Sequence, residues 1–87
     1  MKQSTVKVSN KDGLHARPAA VFVQLANKFN SEVWIEKDNK RVNAKSIMGV
    51  MSLGISADTE ITVAAQGEDE DKAVKALVEL VTSEFGR

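Results

Sequence analysis

The sequence predicts an α/β (α+β) domain: an open-faced β-sandwich. A four-stranded, mostly antiparallel sheet carries three helices on one face, in the order β-α-β-β-α-β-α. Three observations lead there. Short alternating runs rich in β-branched residues recur along the chain: "STVKV", "SEVWIEK" and "EITVAAQ". Between them lie segments with apolar residues at helical spacing. Turn and cap residues separate the two kinds of segment.

Each element follows in order. "STVKV" predicts a strand over Thr5 to Val8 at least, broken by "SNKDG". From Arg17 the pattern is helical, with Phe22, Leu25, Ala26 and Phe29 at i, i+3, i+4 and i+7. Pro18 suits a first helical turn, where its missing N–H would have had no partner. His15 therefore lies at or just before the N-cap. In "SEVWIEK", Val33 and Ile35 share one face, Trp34 and Glu36 the other. Asp38–Asn39 fits a two-residue hairpin turn, since both residues tolerate the left-handed region. "KRVNA" is the returning strand. "SIMGVMSLG" predicts a short helix with Ser46 as N-cap and Gly54 as stop. In "EITVAAQ", Ile61, Val63 and Ala65 are expected to face inward. "GEDEDKAVKALVELVTSEF" is the final helix, striped by Val74, Leu77, Val78, Val81 and Phe85. Glu68 to Asp71 place acid at its positive end.

Composition excludes several functions. The 87 residues leave room for one domain, spanning 1–87. Twelve Lys+Arg balance twelve Asp+Glu, so the basic excess of a nucleic-acid binder is missing. With no cysteine and one histidine there is no disulfide framework and no thiolate or imidazole-rich metal site. No metal and no cofactor are expected. The longest apolar run, "PAAVFV", is far below the ~20 residues of a membrane span. The N-terminus has no apolar secretory core. A cytoplasmic protein, away from membranes, is the expectation.

The single histidine stands in "DGLHARPAAVFV". A lone histidine near a helix start is more often a surface or capping residue than a reactive one. Its surroundings argue the other way. A helix N-terminus offers unpaired N–H groups and about half a positive charge, a ready site for phosphate. Arg17 adds a planar fork of donors. An imidazole in this setting could attack a phosphoryl group and hold it covalently. His15 is thus a candidate phosphoryl acceptor, Arg17 the clamp, and the N–H groups of Ala16 and Arg17 the cradle. No glycine-rich nucleotide loop and no acidic cluster for Mg²⁺ accompany them. One His and one Arg supply no acid and no substrate pocket, so a self-contained enzyme is disfavoured. The phosphoryl group has to come from one protein and leave to another.

The second feature is "NAKSIMGVMSLG". A two-turn helix cannot bury all of Ile47, Met48, Val50, Met51 and Leu53, so part of this apolar set is expected at the surface. Gly49 inside it costs about 1 kcal/mol relative to alanine and points to a close approach. Ser46 reads first as an N-cap. A hydroxyl there is also well placed to carry a phosphate.

"GLHARPAA", with "KSIMGVMSLG" thirty residues later, closely resembles the HPr family, histidine-containing phosphocarriers of the bacterial sugar phosphotransferase system. The resemblance covers the whole chain, and the second motif is similar to the version in low-GC Gram-positive bacteria. It implies that His15 accepts phosphate from enzyme I, itself charged by phosphoenolpyruvate, and passes it to IIA proteins or domains. It implies that Arg17 contacts the phosphate and that HPr kinase/phosphorylase modifies Ser46. The seryl-phosphorylated form would be co-repressor to a LacI-type catabolite regulator. Ala20, Gln24, Ile47, Met48 and Met51 match family contact positions. A carrier without independent turnover, acting as a monomer, is the implied protein. A regulatory HPr-like paralogue has glutamine in place of the histidine. Retention of His15 favours the carrier, with a purely regulatory module as the alternative. Asn39 stands where many relatives have glycine, a tolerable change in a left-handed turn.

Overall fold

The computed structural model describes residues 1–9 and 11–83. Its elements are β1 (Lys2–Lys7), α1 (Ala16–Ala26), β2 (Glu32–Lys37), β3 (Lys40–Asn43), α2 (Ile47–Ser52), β4 (Glu60–Gln66) and α3 (Glu70–Thr82). The strands form one sheet in the order β1-β4-β2-β3, and every neighbouring pair is antiparallel. The order of elements and the open-faced architecture are those expected from the sequence.

Register explains which face carries the helices. Ile35 pairs with Val63 on one side and Val42 on the other; Val33 pairs with Ala65 and Val6 with Ile61. Side chains two apart share a face, so these residues stand together on one side of the sheet. Val33, Ile35, Ile61, Val63 and Ala65 are buried in the same cluster as Ala19, Phe22 and Ala26 of α1, Val50 of α2, and Ala73, Val74, Leu77 and Val81 of α3. All three helices therefore cover that face. The other face stays open. There Thr5 and Thr62 share a hydroxyl hydrogen bond of 2.8 Å, and the Arg41 guanidinium lies 5.8 Å from the centre of the Trp34 ring. Arg41 also pairs with Glu36 at 3.1 Å. Trp34 thus has the cross-strand packing role its alternating position suggests.

The hairpin between β2 and β3 turns through Asp38 (φ 51°) and Asn39 (φ 69°). Two consecutive left-handed residues are the geometry of a type I′ turn. Several boundaries differ from the sequence-based ones. β1 begins at Lys2 and ends at Lys7, one residue before Val8. Val8 is nonetheless buried, and its backbone exchanges 2.9 Å bonds with Thr59 O and Asp58 N. α1 ends at Ala26, which leaves Phe29 in the turn beyond it, packed against the core. α3 starts at Glu70 rather than Gly67. Gly67 has φ 152°, and a Cβ there would sit 2.6 Å from the Ser31 hydroxyl. Val74, Leu77, Val78 and Val81 form the stripe as expected, while Phe85 lies outside the described residues.

Candidate functional site

The approach to α1 is built by Gly13 and Leu14. Gly13 has φ +62°, and a Cβ on it would fall 2.2 Å from the carbonyl oxygen of Ile55. Only glycine allows that approach. Leu14 N donates to the same Ile55 oxygen at 2.9 Å, and the Leu14 side chain is fully buried. The loop is thereby fastened to the segment that follows α2. With Leu14 turned into the core, the next residue, His15, is turned out and is exposed.

His15 is the N-cap of α1, in extended backbone (φ −114°, ψ 150°), and its side chain makes no capping hydrogen bond. Ala16 follows with φ 51°. A left-handed alanine is uncommon and costs of order 1 kcal/mol, and such residues cluster at functional sites. Regular helical backbone accordingly begins at Arg17, where the sequence placed it. Pro18 has no N–H to give, so the free donors of this terminus are those of Ala16 and Arg17. Among the described residues, no ion pair or hydrogen bond holds the Arg17 guanidinium. The first turn contains no acidic side chain. The end of α1 thus combines an uncommitted imidazole, an uncommitted guanidinium and a positive helix end.

Along α1, Arg17, Ala20 and Gln24 recur at i, i+3 and i+7 and share one face. Arg17 and Gln24 are exposed and Ala20 is half-buried, opposite the buried face of Ala19, Phe22 and Ala26.

α2 lies beside α1. Asn27 Nδ2, at the end of α1, donates to Val23 O at 2.9 Å and to Lys45 O at 3.3 Å. Lys45 Nζ donates to Phe29 O at 2.7 Å. The start of α2 is therefore tied to the end of α1, and the residues after α2 to the start of α1. The two helices run antiparallel. Ser46 is the N-cap of α2, and its Oγ accepts from Gly49 N at 3.1 Å. The close approach expected at Gly49 is to Asn43 O, which a Cβ would meet at 3.3 Å, and to the Ser46 side chain itself. At the other end Lys37 Nζ donates to Leu53 O and Gly54 O, both at 3.1 Å, satisfying carbonyls that end the helix. Gly54 has φ +61°, as a helix stop requires. Val50 and Leu53 fill the inner side, leaving Ile47 (41%), Met48 (77%) and Met51 (41%) exposed.

His15, Ala16 and Arg17 are thus gathered at one helix end, and Ile47, Met48 and Met51 on the neighbouring helix. Ser46 is set apart from His15, at the far end of α2. What the sequence reading missed is the support: Gly13 as the point of closest approach, the left-handed Ala16, and Lys37 as the residue that closes α2. Only Gly13 carried a local signal, in the turn dipeptide Asp12–Gly13.

The open-faced sandwich, with an exposed imidazole at the first helix and a short apolar second helix beside it, is the HPr fold. A family model described as "PTS HPr component phosphorylation site" matches residues 2–83. The HPr-like protein Crh of Bacillus subtilis (strain 168) is 58% identical over 84 residues, 97% of this chain and 99% of that one. HPr-C-His from Thermoanaerobacter tengcongensis is 60% identical, with a TM-score of 0.96 over 100% of this chain and 98% of that one. The HPr dimer from the same organism, also 60% identical, gives a TM-score of 0.79 over the full length of both chains. The chain belongs to the HPr family.

Among the described residues, no helix is long and apolar enough to cross a membrane.

Proposed function

We propose that the chain is a phosphocarrier of the sugar phosphotransferase system: one cytoplasmic domain that takes a phosphoryl group from enzyme I on His15 and hands it to IIA proteins. The observation that carries the reading is the uncapped, exposed His15 at a helix end that holds no acid. An imidazole nitrogen forms the N–P bond as the bond to the donor breaks. The phosphoryl oxygens then meet the Arg17 guanidinium and the N–H groups of Ala16 and Arg17. Partners dock on Ala20, Gln24, Ile47, Met48 and Met51. No group here activates water, so the phosphoryl group waits for its acceptor, and the protein turns nothing over alone.

The similarity to the HPr-like protein Crh favours a second reading, a regulatory module that binds a LacI-type catabolite regulator. Both readings include phosphorylation of Ser46 by HPr kinase/phosphorylase. The hydroxyl is half-buried and engaged with Gly49 N, at a helix end that accommodates a dianion. Ser46 and His15 sit at opposite ends of an antiparallel helix pair, and α1 is roughly 16 Å long, beyond one Debye length at physiological salt. A phosphate on Ser46 therefore acts on the docked partner more than on His15 itself. It repels an acidic partner surface, expected for enzyme I, and attracts a basic pocket, expected for the regulator.

Incubation with enzyme I and phosphoenolpyruvate tests both readings. The carrier reading expects phosphohistidine in wild type and none in His15→Ala. No phosphohistidine in wild type would leave the regulator. Ser46→Asp should be phosphorylated on His15 more slowly than Ser46→Ala at low salt, the gap narrowing as salt rises. Equal rates at low salt would contradict the electrostatic part. The dimeric Thermoanaerobacter HPr weighs against the expected monomer. Sedimentation of the phosphorylated and unphosphorylated forms decides it.

A further inference from the structure

Methionine most often fills gaps in cores. Here, among the described residues, the buried core contains none. The chain has three methionines and no cysteine, and Met1, Met48 and Met51 are 61%, 77% and 41% exposed. All the sulfur is therefore at the surface, and two of the three atoms stand on α2. The inner side of α2 is filled by Val50 and Leu53, and the helix is held at both ends by Ser46 and Lys37. Neither Met48 nor Met51 belongs to the buried core.

We infer that Met48 and Met51 are a peroxide-sensitive modification site that turns the α2 surface from apolar to polar while the fold stays intact. The thioether sulfur attacks one peroxide oxygen. The S–O bond forms as the O–O bond breaks, the sulfur loses two electrons, and the other oxygen leaves as water. Each sulfoxide places a strong acceptor where an apolar partner surface would have to desolvate it. Met48 reacts first because it is the more exposed. Met1 oxidises as well, but it stands at the start of β1, with its amine 3.6 Å from Glu70 of α3, away from α2. The consequence for docking rests on the carrier reading.

The test treats the whole protein with hydrogen peroxide and locates added oxygen by peptide mass mapping. Melting curves and the rate of enzyme I-dependent phosphorylation of His15 follow. Oxygen on Met48 and then Met51, an unchanged melting curve and a rate about tenfold lower are expected, tenfold being the usual loss when a central docking side chain is spoiled. In Met48→Leu/Met51→Leu, the rates before and after peroxide should be equal, although Met1 is oxidised. The inference is overturned if Met48 and Met51 resist peroxide, if their oxidation unfolds the domain, or if oxidised wild type takes phosphate as fast as untreated protein. It is equally overturned if the double leucine variant slows as much as wild type does. Should untreated wild type take no phosphate, the carrier reading fails. The oxygen map, the melting curve and a loss of retention on an apolar resin then decide the modification site.

Discussion

The N-termini of α1 and α3 are opposites. At α3 the first turn holds Glu70 and Asp71, and both are used: Glu70 Oε1 accepts from Gly67 N at 3.1 Å, Glu70 pairs with the terminal amine, and Asp71 pairs with Lys2 at 3.9 Å. The N-cap, Asp69, accepts from Asn30 N, Ser31 N and the Ser31 hydroxyl. Neither N-cap side chain bonds its own helix, but α1 has in addition no acid in its first turn, a left-handed alanine and an arginine at the positive end. At α3 the acids offset the positive end and are engaged by other segments of the protein. The α1 terminus has no acid to offset its positive end, which costs helix stability and suits an anion from outside.

Exchange of the N-cap is the sharpest way to break this comparison. His15→Asp supplies the missing carboxylate, which can accept from Arg17 N and pair with the guanidinium. The variant should lose all phosphorylation by enzyme I and melt higher, with a gain of about 1 kcal/mol. A variant that is inactive and no more stable would mean that the α1 terminus is not electrostatically open. Arg17 is the next test. Arg17→Gly should slow phosphotransfer at least about tenfold, and Arg17→Lys should recover only part of it, lacking the planar fork. Equal rates in all three proteins would remove Arg17 from the site.

Gly13→Ala addresses the scaffold. The new Cβ meets the backbone of Ile55 and Ser56, which cannot move aside as a flexible side chain can. Together with the positive φ, this should destabilise the domain by about 2–4 kcal/mol and slow phosphotransfer by shifting His15. Gly54→Ala is the control. That residue also has a positive φ, but nothing lies within 4 Å of the added Cβ, so the smaller loss of about 1–2 kcal/mol is due to backbone strain alone.

The elements of the fold were legible because each is written locally. The two alternating strands around Asp38–Asn39, the Ser46 cap and the Gly54 stop need only neighbours in sequence. So does the exposure of the α2 patch, since a six-residue helix and its C-cap cannot hide all of Ile47, Met48, Val50, Met51 and Leu53. His15 and Arg17 stand out in the sequence as candidates, from the types present and from the helix start at Pro18. What the sequence hid are contacts between distant segments. The Gly13–Ile55 approach joins residues far apart in the chain, and no spacing rule reports it. Ala16 gave no sign of its left-handed backbone, because alanine is an ordinary helix former whose strain here is imposed by the loop before it. In the sequence the acidic run Glu68–Asp71 is one helix-end feature, but the structure divides it. Asp69 is turned to the α1–β2 turn, 38 residues away.

That division yields the smallest effect, seen only as a pH dependence. The Ser31 hydroxyl and then the Asn30 N–H favour the ionised carboxylate of Asp69; burial opposes them, the Ser31 N–H adds to the lowering, and the carboxyl is held below the usual aspartate value. A carboxyl whose pKa is lowered on folding adds stability above its unfolded value, about 3.9, and that contribution is lost as pH falls through the folded value. Asp69→Asn cannot replace the carboxylate. Its amide oxygen can serve Ser31, but its NH₂ would then face the Asn30 N–H, donor against donor. The variant should be less stable than wild type at neutral pH, and the difference should shrink as acid protonates Asp69 in the wild type. Denaturant melts at neutral pH and near pH 3 would show it. A gap that stays constant or widens in acid would mean the three donors do not depend on the charge. Phosphotransfer at neutral pH should barely change in this variant, because the joint lies at the opposite end of α1 from His15. A large drop would show that the α3 terminus and the α1 terminus are coupled through the helix between them.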